Sequence, residues 1–259
     1  QDWFSPASGR AGMRTTVRDV LSKAGEEPIT MLTAYDAVTA EIVDERGVDV
    51  ILVGDSVGNT SHGHETTLPV TVDQMADHTA AVARGAEDAL VVADMPFLSY
   101  GHDDKESIEN AGRMLKEAGA HAVKLESGPH TVELTEKLSH LGIPVMAHLG
   151  LTPQSVNQQG YALQGTSEEA ADRLLELAEA HEDAGAFSLV LERVPAPLAA
   201  RVTDALDIPT IGIGAGPDCD GQVLVVDDAV GLSDWTPSFV EEFGSVREAM
   251  GDAIEAYAD

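Results

Sequence analysis

The sequence predicts an α/β fold, a closed (β/α)8 barrel of the TIM type, on three observations. The chain has 259 residues, and roughly 250 is the usual length of such a barrel. Eight short apolar runs recur along it, each bounded by Gly, Pro or a polar residue. Amphipathic stretches of helical period lie between them. Strands that alternate with helices this regularly pair in parallel through right-handed crossovers, and eight such units favour closure over an open doubly wound sheet.

The runs, in order, are Ile29–Ala34, Val48–Val53, Leu90–Ala93, Ala122–Leu125, Ile143–Ala147, Phe187–Leu191, Thr210–Ile213 and Val223–Val226. Each is short and aliphatic or β-branched without polar alternation, as a strand buried on both faces should be. Helices are expected over Ala37–Arg46, ending at Gly47; Val72–Ala83, ending near Gly85; and Lys105–Ala118, ending at Gly119. Two more are expected over Thr131–His140, before Gly142, and Ser167–Ala184, before Gly185. Thr166/Ser167 with Glu169 resembles a capping box at the start of the last of these. No linker or low-complexity segment divides residues 13–259, which are read as a single barrel domain opening at Met13. Residues 1–12 are set aside as a processed extension or a remnant of expression.

Net charge narrows the possible partners. Asp and Glu number 45 against 15 Lys and Arg, a formal charge of −30. Such a surface offers no basic stripe to a phosphate array, so nucleic acid and anionic membranes are excluded as partners. The acids are scattered over every helix, not blocked into a tail, which suits a cytoplasm of high salt more than an acidic docking surface. At molar salt the Debye length shrinks to about 3 Å and mutual repulsion largely vanishes. No stretch approaches the roughly 20 apolar residues of a membrane span, and no targeting signal is visible, so a cytoplasmic location is expected. The single cysteine, Cys219, leaves no intramolecular disulfide and no multi-cysteine metal site, and reads as an inert small residue in a turn.

The ends of the runs carry the chemistry. The second run ends in Asp55, the third in Asp94, the fourth in Glu126 and the sixth in Glu192, while His148 closes the fifth. In a (β/α)8 barrel these C-terminal strand ends form one ring. Any one acid could merely cap the following loop, but four crowded carboxylates repel one another unless a cation holds them. Asp55, Asp94 and Glu126 are hard oxygen donors on neighbouring strands and suit Mg²⁺, whereas zinc lacks a His/Cys cluster here. Lys124 shares the inward face with Glu126 by the period of two. Beside carboxylates and metal it should stay protonated and hold a substrate carboxylate, not form a Schiff base. Glu192, flanked by Leu191 and the Val194–Pro195 turn, is the candidate general base for a carbon-bound proton. The GIGAG stretch (Gly212–Gly216) lacks a following capped helix, so a close-packed turn competes with a phosphate-binding reading. Histidines other than His148 read as surface.

These positions fall within longer segments: TAYD (33–36), LVGDSVGNT (52–60), TTLPVT (66–71), ADMPF (93–97), VKLE (123–126), HLGLTPQSVN (148–157), LVLERVP (189–195) and IGIGAG (211–216). Together and in this order they resemble the ketopantoate hydroxymethyltransferase (3-methyl-2-oxobutanoate hydroxymethyltransferase) family over nearly all of residues 13–250. The resemblance implies transfer of a hydroxymethyl group from 5,10-methylene-tetrahydrofolate, or a related pterin, to Mg²⁺-bound 3-methyl-2-oxobutanoate. The product would be ketopantoate, for pantothenate and coenzyme A synthesis. Carried over by position, Asp55 and Asp94 bind the metal and Glu126 completes the acidic shell. Asp55, Ser56, Asp94 and Lys124 form the oxo-acid site, Glu192 is the base and His148 supports it. The resemblance also implies a homo-oligomer, often a decamer in the family. Departures fall in SHGHETTLP (61–69) and GLSDW (231–235), the stretches that bear on the pterin contacts. A carbon–carbon lyase of the isocitrate lyase/phosphoenolpyruvate mutase type would use the same barrel, metal and oxo-acid chemistry. It would need a lid-loop cysteine acid, and Cys219 instead follows the seventh run. A non-catalytic, salt-adapted barrel would have no use for Lys124, Glu126 and Glu192 together.

Overall fold

The computed structural model describes residues 14–259. Residues 1–12, read as an extension, and Met13, read as the domain's start, lie outside the described residues. Eight parallel strands close into a barrel in sequence order, β8 returning to β1.

The chain enters through α1 (Val17–Ser22), started by a capping box between Thr16 and Asp19. It continues through β1 (Ile29–Thr33), α2 (Ala37–Glu45), β2 (Val50–Val53), α3 (Val57–Thr60), α4 (Val72–Gly85) and β3 (Leu90–Asp94). Next come α5 (Asp104–Lys116), β4 (Ala122–Glu126), α6 (Val132–His140), β5 (Val145–Gly150) and α7 (Val156–Gln159). The final third holds α8 (Glu168–Asp183), β6 (Ser188–Glu192), α9 (Ala196–Ala205), β7 (Thr210–Ile213), β8 (Gly221–Leu224), α10 (Val226–Ala229) and α11 (Val246–Ala258). All eight expected strands and all five expected helices form.

Several details differ from expectation. Expected at Val223, β8 begins at Gly221, because Gly221 and Gln222 already pair with Ile29 and Thr30 of β1. Val226 leaves the strand to open α10, its N–H donating to Thr33 Oγ1 at 2.9 Å. β5 starts after Pro144 and runs on through His148 to Gly150, paired with β6 along its length. Helix α8 has no capping box: Ser167 caps it by accepting from Ala170 N–H, which places Glu169 one residue too early to reach back. α4 does carry one, between Thr71 and Gln74.

Strand periodicity sorts the side chains into layers. Ile29, Met31, Leu52, Leu90, Val92, Ala122, Met146, Val190, Ile211 and Val223 pack together in the barrel interior. The alternate residues, such as Ile51, Val53, Val91, Val123 and Leu125, face out under the helices. Each inward series ends, at the C-terminal rim, in a polar group: Asp94 on β3, Lys124 and Glu126 on β4, His148 on β5 and Glu192 on β6. Apolar burial therefore fixes the side to which these groups point.

The closing edge is less covered. A groove of about 720 Å³ runs along the outer wall of β1 and β8, lined by Leu32, Val48, Leu224, Val230 and Phe243. No residue of α11 is buried, and its Val246, Met250 and Ile254 are exposed at four-residue spacing. No helix among the described residues is long and apolar enough to cross a membrane.

Candidate active site

Strand register sets the ring. Asp94 is opposite Lys124, Glu126 opposite His148, and Gly150 opposite Glu192 on successive strands. A cavity of about 170 Å³ at the rim is lined by Asp55, Ser56, Asp94, Lys124, Glu126, His148 and Glu192, so every residue singled out from the sequence faces one space.

Lys124 is the hinge of the arrangement. Its Nζ lies 2.7 Å from Asp94 Oδ1, and both side chains are buried. Burial alone would lower the pKa of Lys124, but the charges of Asp94, Asp55 and Glu126 outweigh it and raise it, so the amine remains an ammonium. Its other neighbour is His148 Nδ1, at 3.4 Å. An ammonium can only donate, so Nδ1 accepts and the imidazole proton resides on Nε2. Burial and the Lys124 charge lower the pKa of His148, against the opposing pull of Glu192, and keep the ring neutral. The protonated Nε2 approaches Glu192 Oε2 at 3.3 Å, as a close contact without full hydrogen-bond alignment.

Asp55 and Asp94 stand together, Asp94 Oδ2 accepting the Asp55 backbone N–H at 3.0 Å. Burial raises the Asp55 pKa to about 7, the Asp94 charge adding to it against Lys124. Burial and the Asp55 charge also raise Glu126 well above an ordinary glutamate. Three buried carboxylates therefore share one ammonium, and the site is short of positive charge. Apart from its ion pair with Lys124, Asp94 Oδ1 is shielded without a hydrogen-bond partner. Hard oxygen donors that lack a counter-charge fit a divalent cation of the Mg²⁺ type, which keeps waters and needs few protein ligands. Among the described residues no three His, Cys, Asp or Glu side chains form a metal cage by themselves. Glu126 is engaged elsewhere, its two oxygens both accepting from the Gln154 backbone N–H, at 3.1 and 3.0 Å.

Gln154 and two tyrosines complete the site and were not singled out from the sequence. Tyr100 OH accepts from Glu126 N–H at 3.0 Å and donates to Gln154 Oε1 at 2.9 Å. That fixes the Gln154 amide so that Nε2 donates to Asp55 Oδ2 and to the Met95 carbonyl, both at 2.9 Å. Tyr35 OH pairs with Ser56 Oγ at 2.8 Å. Ser56 precedes α3 without a side-chain cap bond, so its hydroxyl pairs with Tyr35 and the residue lines the cavity. Gln154 lies within the HLGLTPQSVN segment, directly after Pro153, and that was its only signal; neither tyrosine carries a periodic one.

Backbone geometry places Glu192. The N–H of Leu151 donates to the Glu192 carbonyl at 2.8 Å. Gly150, at φ 96°, lies so close to that carbonyl that a Cβ would collide with it. Arg193, immediately after Glu192, is held at φ 47°, a conformation costly for a residue with a side chain. Such strain persists only where neighbours over-determine it; here Arg193 N–H donates to the Ile213 carbonyl at 2.9 Å and its own carbonyl accepts from Gln164 at 2.9 Å.

The remaining sequence features fall elsewhere. Gly214 and Gly216 adopt φ of 59° and 85° in a packed turn with no helix after it, so GIGAG is a close-packed loop. Cys219 is half-buried against Gly212, away from the carboxylates, and burial pushes its thiol up. The expectation that the other histidines lie on the surface is corrected: His181 is fully buried on α8, its Nδ1 3.1 Å from Thr135 Oγ1. His121 is half-buried and accepts the Val91 N–H at 2.9 Å.

The architecture is shared with solved structures of low sequence identity. A crystal structure of 2,3-dimethylmalate lyase, a PEP mutase/isocitrate lyase superfamily member, is 18% identical with a TM-score of 0.60, over 94% of this chain and 88% of that one. Phosphonopyruvate hydrolase, in complex with oxalate and Mg²⁺, is 12% identical with a TM-score of 0.61, over 95% and 86%. At these identities the likeness concerns the fold alone. Sequence similarity is far stronger to proteins named 3-methyl-2-oxobutanoate hydroxymethyltransferase. One from Haloarcula marismortui is 70% identical over 94% of this chain and 91% of that protein. Others from Halobacterium salinarum and Streptomyces coelicolor are 65% and 54% identical, over 90% and 97% of this chain and 85% and 87% of those proteins. The sequence profile described as ketopantoate hydroxymethyltransferase matches residues 14–259, and the chain belongs to that family.

Proposed function

We propose that the chain transfers a hydroxymethyl group from 5,10-methylene-tetrahydrofolate, or a related pterin, to 3-methyl-2-oxobutanoate. The product is 2-dehydropantoate (ketopantoate), on the route to pantothenate and coenzyme A. The observation that carries this reading is the buried Asp94–Lys124 pair, 2.7 Å apart, beside Asp55 and across the cavity from Glu192. It provides a cationic seat for a carboxylate, oxygen donors for a metal and a separate carboxylate for a carbon acid.

Asp55 and Asp94 would hold Mg²⁺, with Glu126 completing the acidic shell behind Gln154. The bound ion would polarise the 2-oxo group and stabilise negative charge as C3 loses its proton. Lys124 and Ser56 hold the substrate carboxylate. Glu192 accepts the C3 proton, and the Nε2 proton of His148 keeps its carboxylate facing the cavity. The C3 carbanion bonds to the methylene carbon of the opened iminium form of the carrier. Water then adds to that methylene carbon as its bond to the carrier nitrogen breaks; the hydroxyl stays with the product, the nitrogen takes the proton, and the carrier departs as its tetrahydro form.

The enzyme is proposed to act in the cytoplasm as a homo-oligomer. Assembly is supported by two unpartnered apolar faces, the groove along β1 and β8 and the Val246–Met250–Ile254 stripe of α11. The functional reading is tested by incubating the enzyme with Mg²⁺, 3-methyl-2-oxobutanoate and either methylene-tetrahydrofolate or methylene-tetrahydromethanopterin. Ketopantoate detected by mass spectrometry is the expected result; no product with either carrier contradicts the reading.

A further inference from the structure

Beside the carboxylate pocket lies a second cavity of about 590 Å³, a size typical of small-molecule sites. Ser56, Asn59 and Val225 line both spaces, so a group held in one borders the other. The groove at β1 and β8 shares only Leu224 with the carboxylate pocket. The groove between α6 and α8, about 780 Å³, shares no lining residue with the carboxylate pocket. The groove at β1 and β8 lies on the outer wall of the barrel.

The far wall of the second cavity carries Asp227, Trp235 and Arg247. Asp227 Oδ2 is shielded from solvent and has no hydrogen-bond partner. Burial raises the pKa of Asp227, and the neighbouring charges of Asp228 and Asp36 add to it. Its neighbour is committed elsewhere, Asp228 Oδ1 accepting from Ser233 Oγ at 2.5 Å. A shielded acceptor without a donor is costly to leave unmade. Trp235 stands at the mouth with 74% of its surface exposed. Arg247 is the single basic residue in this lining among the described residues, and one of only 15 in a chain of charge −30.

We propose that this cavity seats the pterin ring of the one-carbon carrier. Asp227 accepts from the ring, Trp235 covers its face and Arg247 meets its anionic tail. The inference rests on the functional reading above. A 2-amino-4-oxo pterin presents its amino group and the adjacent ring N–H side by side, two parallel donors that match the two oxygens of a carboxylate. The flat ring suits an indole face. Folate and its relatives share this ring edge, so the seat reads the pterin and not the rest of the carrier.

Two measurements test it. In the Mg²⁺-loaded enzyme, Asp227→Asn and Asp227→Ala should raise the KM for methylene-tetrahydrofolate by about 10- to 100-fold. The KM for 3-methyl-2-oxobutanoate should move far less. The chain has only two tryptophans, Trp3 and Trp235, so quenching of intrinsic fluorescence by tetrahydrofolate can be assigned. Quenching should persist in Trp3→Phe and be lost in Trp235→Phe. Normal transfer with an unchanged carrier KM in both Asp227 variants overturns the proposal and leaves the functional reading intact. Quenching retained in Trp235→Phe and lost in Trp3→Phe also overturns it. Absence of carrier-dependent transfer in the unaltered enzyme would overturn both.

Discussion

Glu192 Oε2 lies 3.3 Å from His148 Nε2, and the opposite nitrogen of the same ring faces Lys124 Nζ at 3.4 Å. The lysine that would bind the substrate carboxylate thereby also fixes the tautomer that addresses Glu192. His148→Phe keeps a ring in the space but removes both nitrogens. Its kcat should fall by about 10-fold or more while the KM for the oxo acid changes little, as for a group that positions a base without binding substrate. Steady-state kinetics in both substrates check this; a rise confined to the oxo-acid KM would assign His148 to binding instead.

Asp94 pairs with Lys124 and is proposed to bind the metal as well. Asp94→Asn preserves shape but removes a ligand charge and the partner of Lys124, so Mg²⁺ affinity and turnover should fall together. Calorimetric titration with Mg²⁺ decides the point, because equal affinity in the variant and the parent would remove Asp94 from the metal site.

Asp55 makes the metal-free protein sensitive to pH. Its folded pKa, about 7, lies above that of an unfolded aspartate. Stability from this group is therefore complete below the unfolded pKa and is lost as pH rises through the folded one. Without divalent cations, Tm should fall between about pH 4 and about pH 7, and Asp55→Asn should flatten that fall. In saturating Mg²⁺ the parent should recover the lost stability. Thermal melts with chelator and with Mg²⁺ test the sign; stability that rises with pH in the chelated parent would contradict it.

The charge of −30 should make folding depend on salt. Screening at molar KCl brings the Debye length to about 3 Å and removes most repulsion among surface acids, so Tm should climb steadily with KCl from tenth-molar to multimolar levels. A Tm indifferent to salt over that range would remove the link between acidity and stability.

How much of this was legible in the sequence follows from where periodicity operates. The eight strands could be read because each is a short apolar run stopped by a breaker, and β2 to β7 are buried on both faces. β5 and β8 shifted because hydrogen-bond register, not hydrophobicity, decides where a strand ends. The period of two correctly turned Lys124 and Glu126 to one side, and the strand-end rule brought Asp55, Asp94, His148 and Glu192 to the same cavity. Tyr35, Tyr100 and Gln154 escaped notice because they reach the site from segments beyond the strand ends, where no period constrains a side chain. The strain at Arg193 leaves no trace in composition. His181 was readable and was missed: its spacing from Ala171 and Ala178 places it on the inner face of α8.

The most direct test of the account concerns Glu192 alone. If it is the base, removal of the C3 proton requires the metal, the oxo acid and Glu192, and no pterin. Incubation with Mg²⁺ and 3-methyl-2-oxobutanoate in D₂O should exchange the C3 proton, seen by NMR as loss of its signal. Glu192→Gln should slow that exchange by about 10²–10⁴-fold while the oxo acid still binds through the metal and Lys124. Exchange undiminished in Glu192→Gln, with binding intact, would mean that another group takes the proton and would contradict the account at its centre.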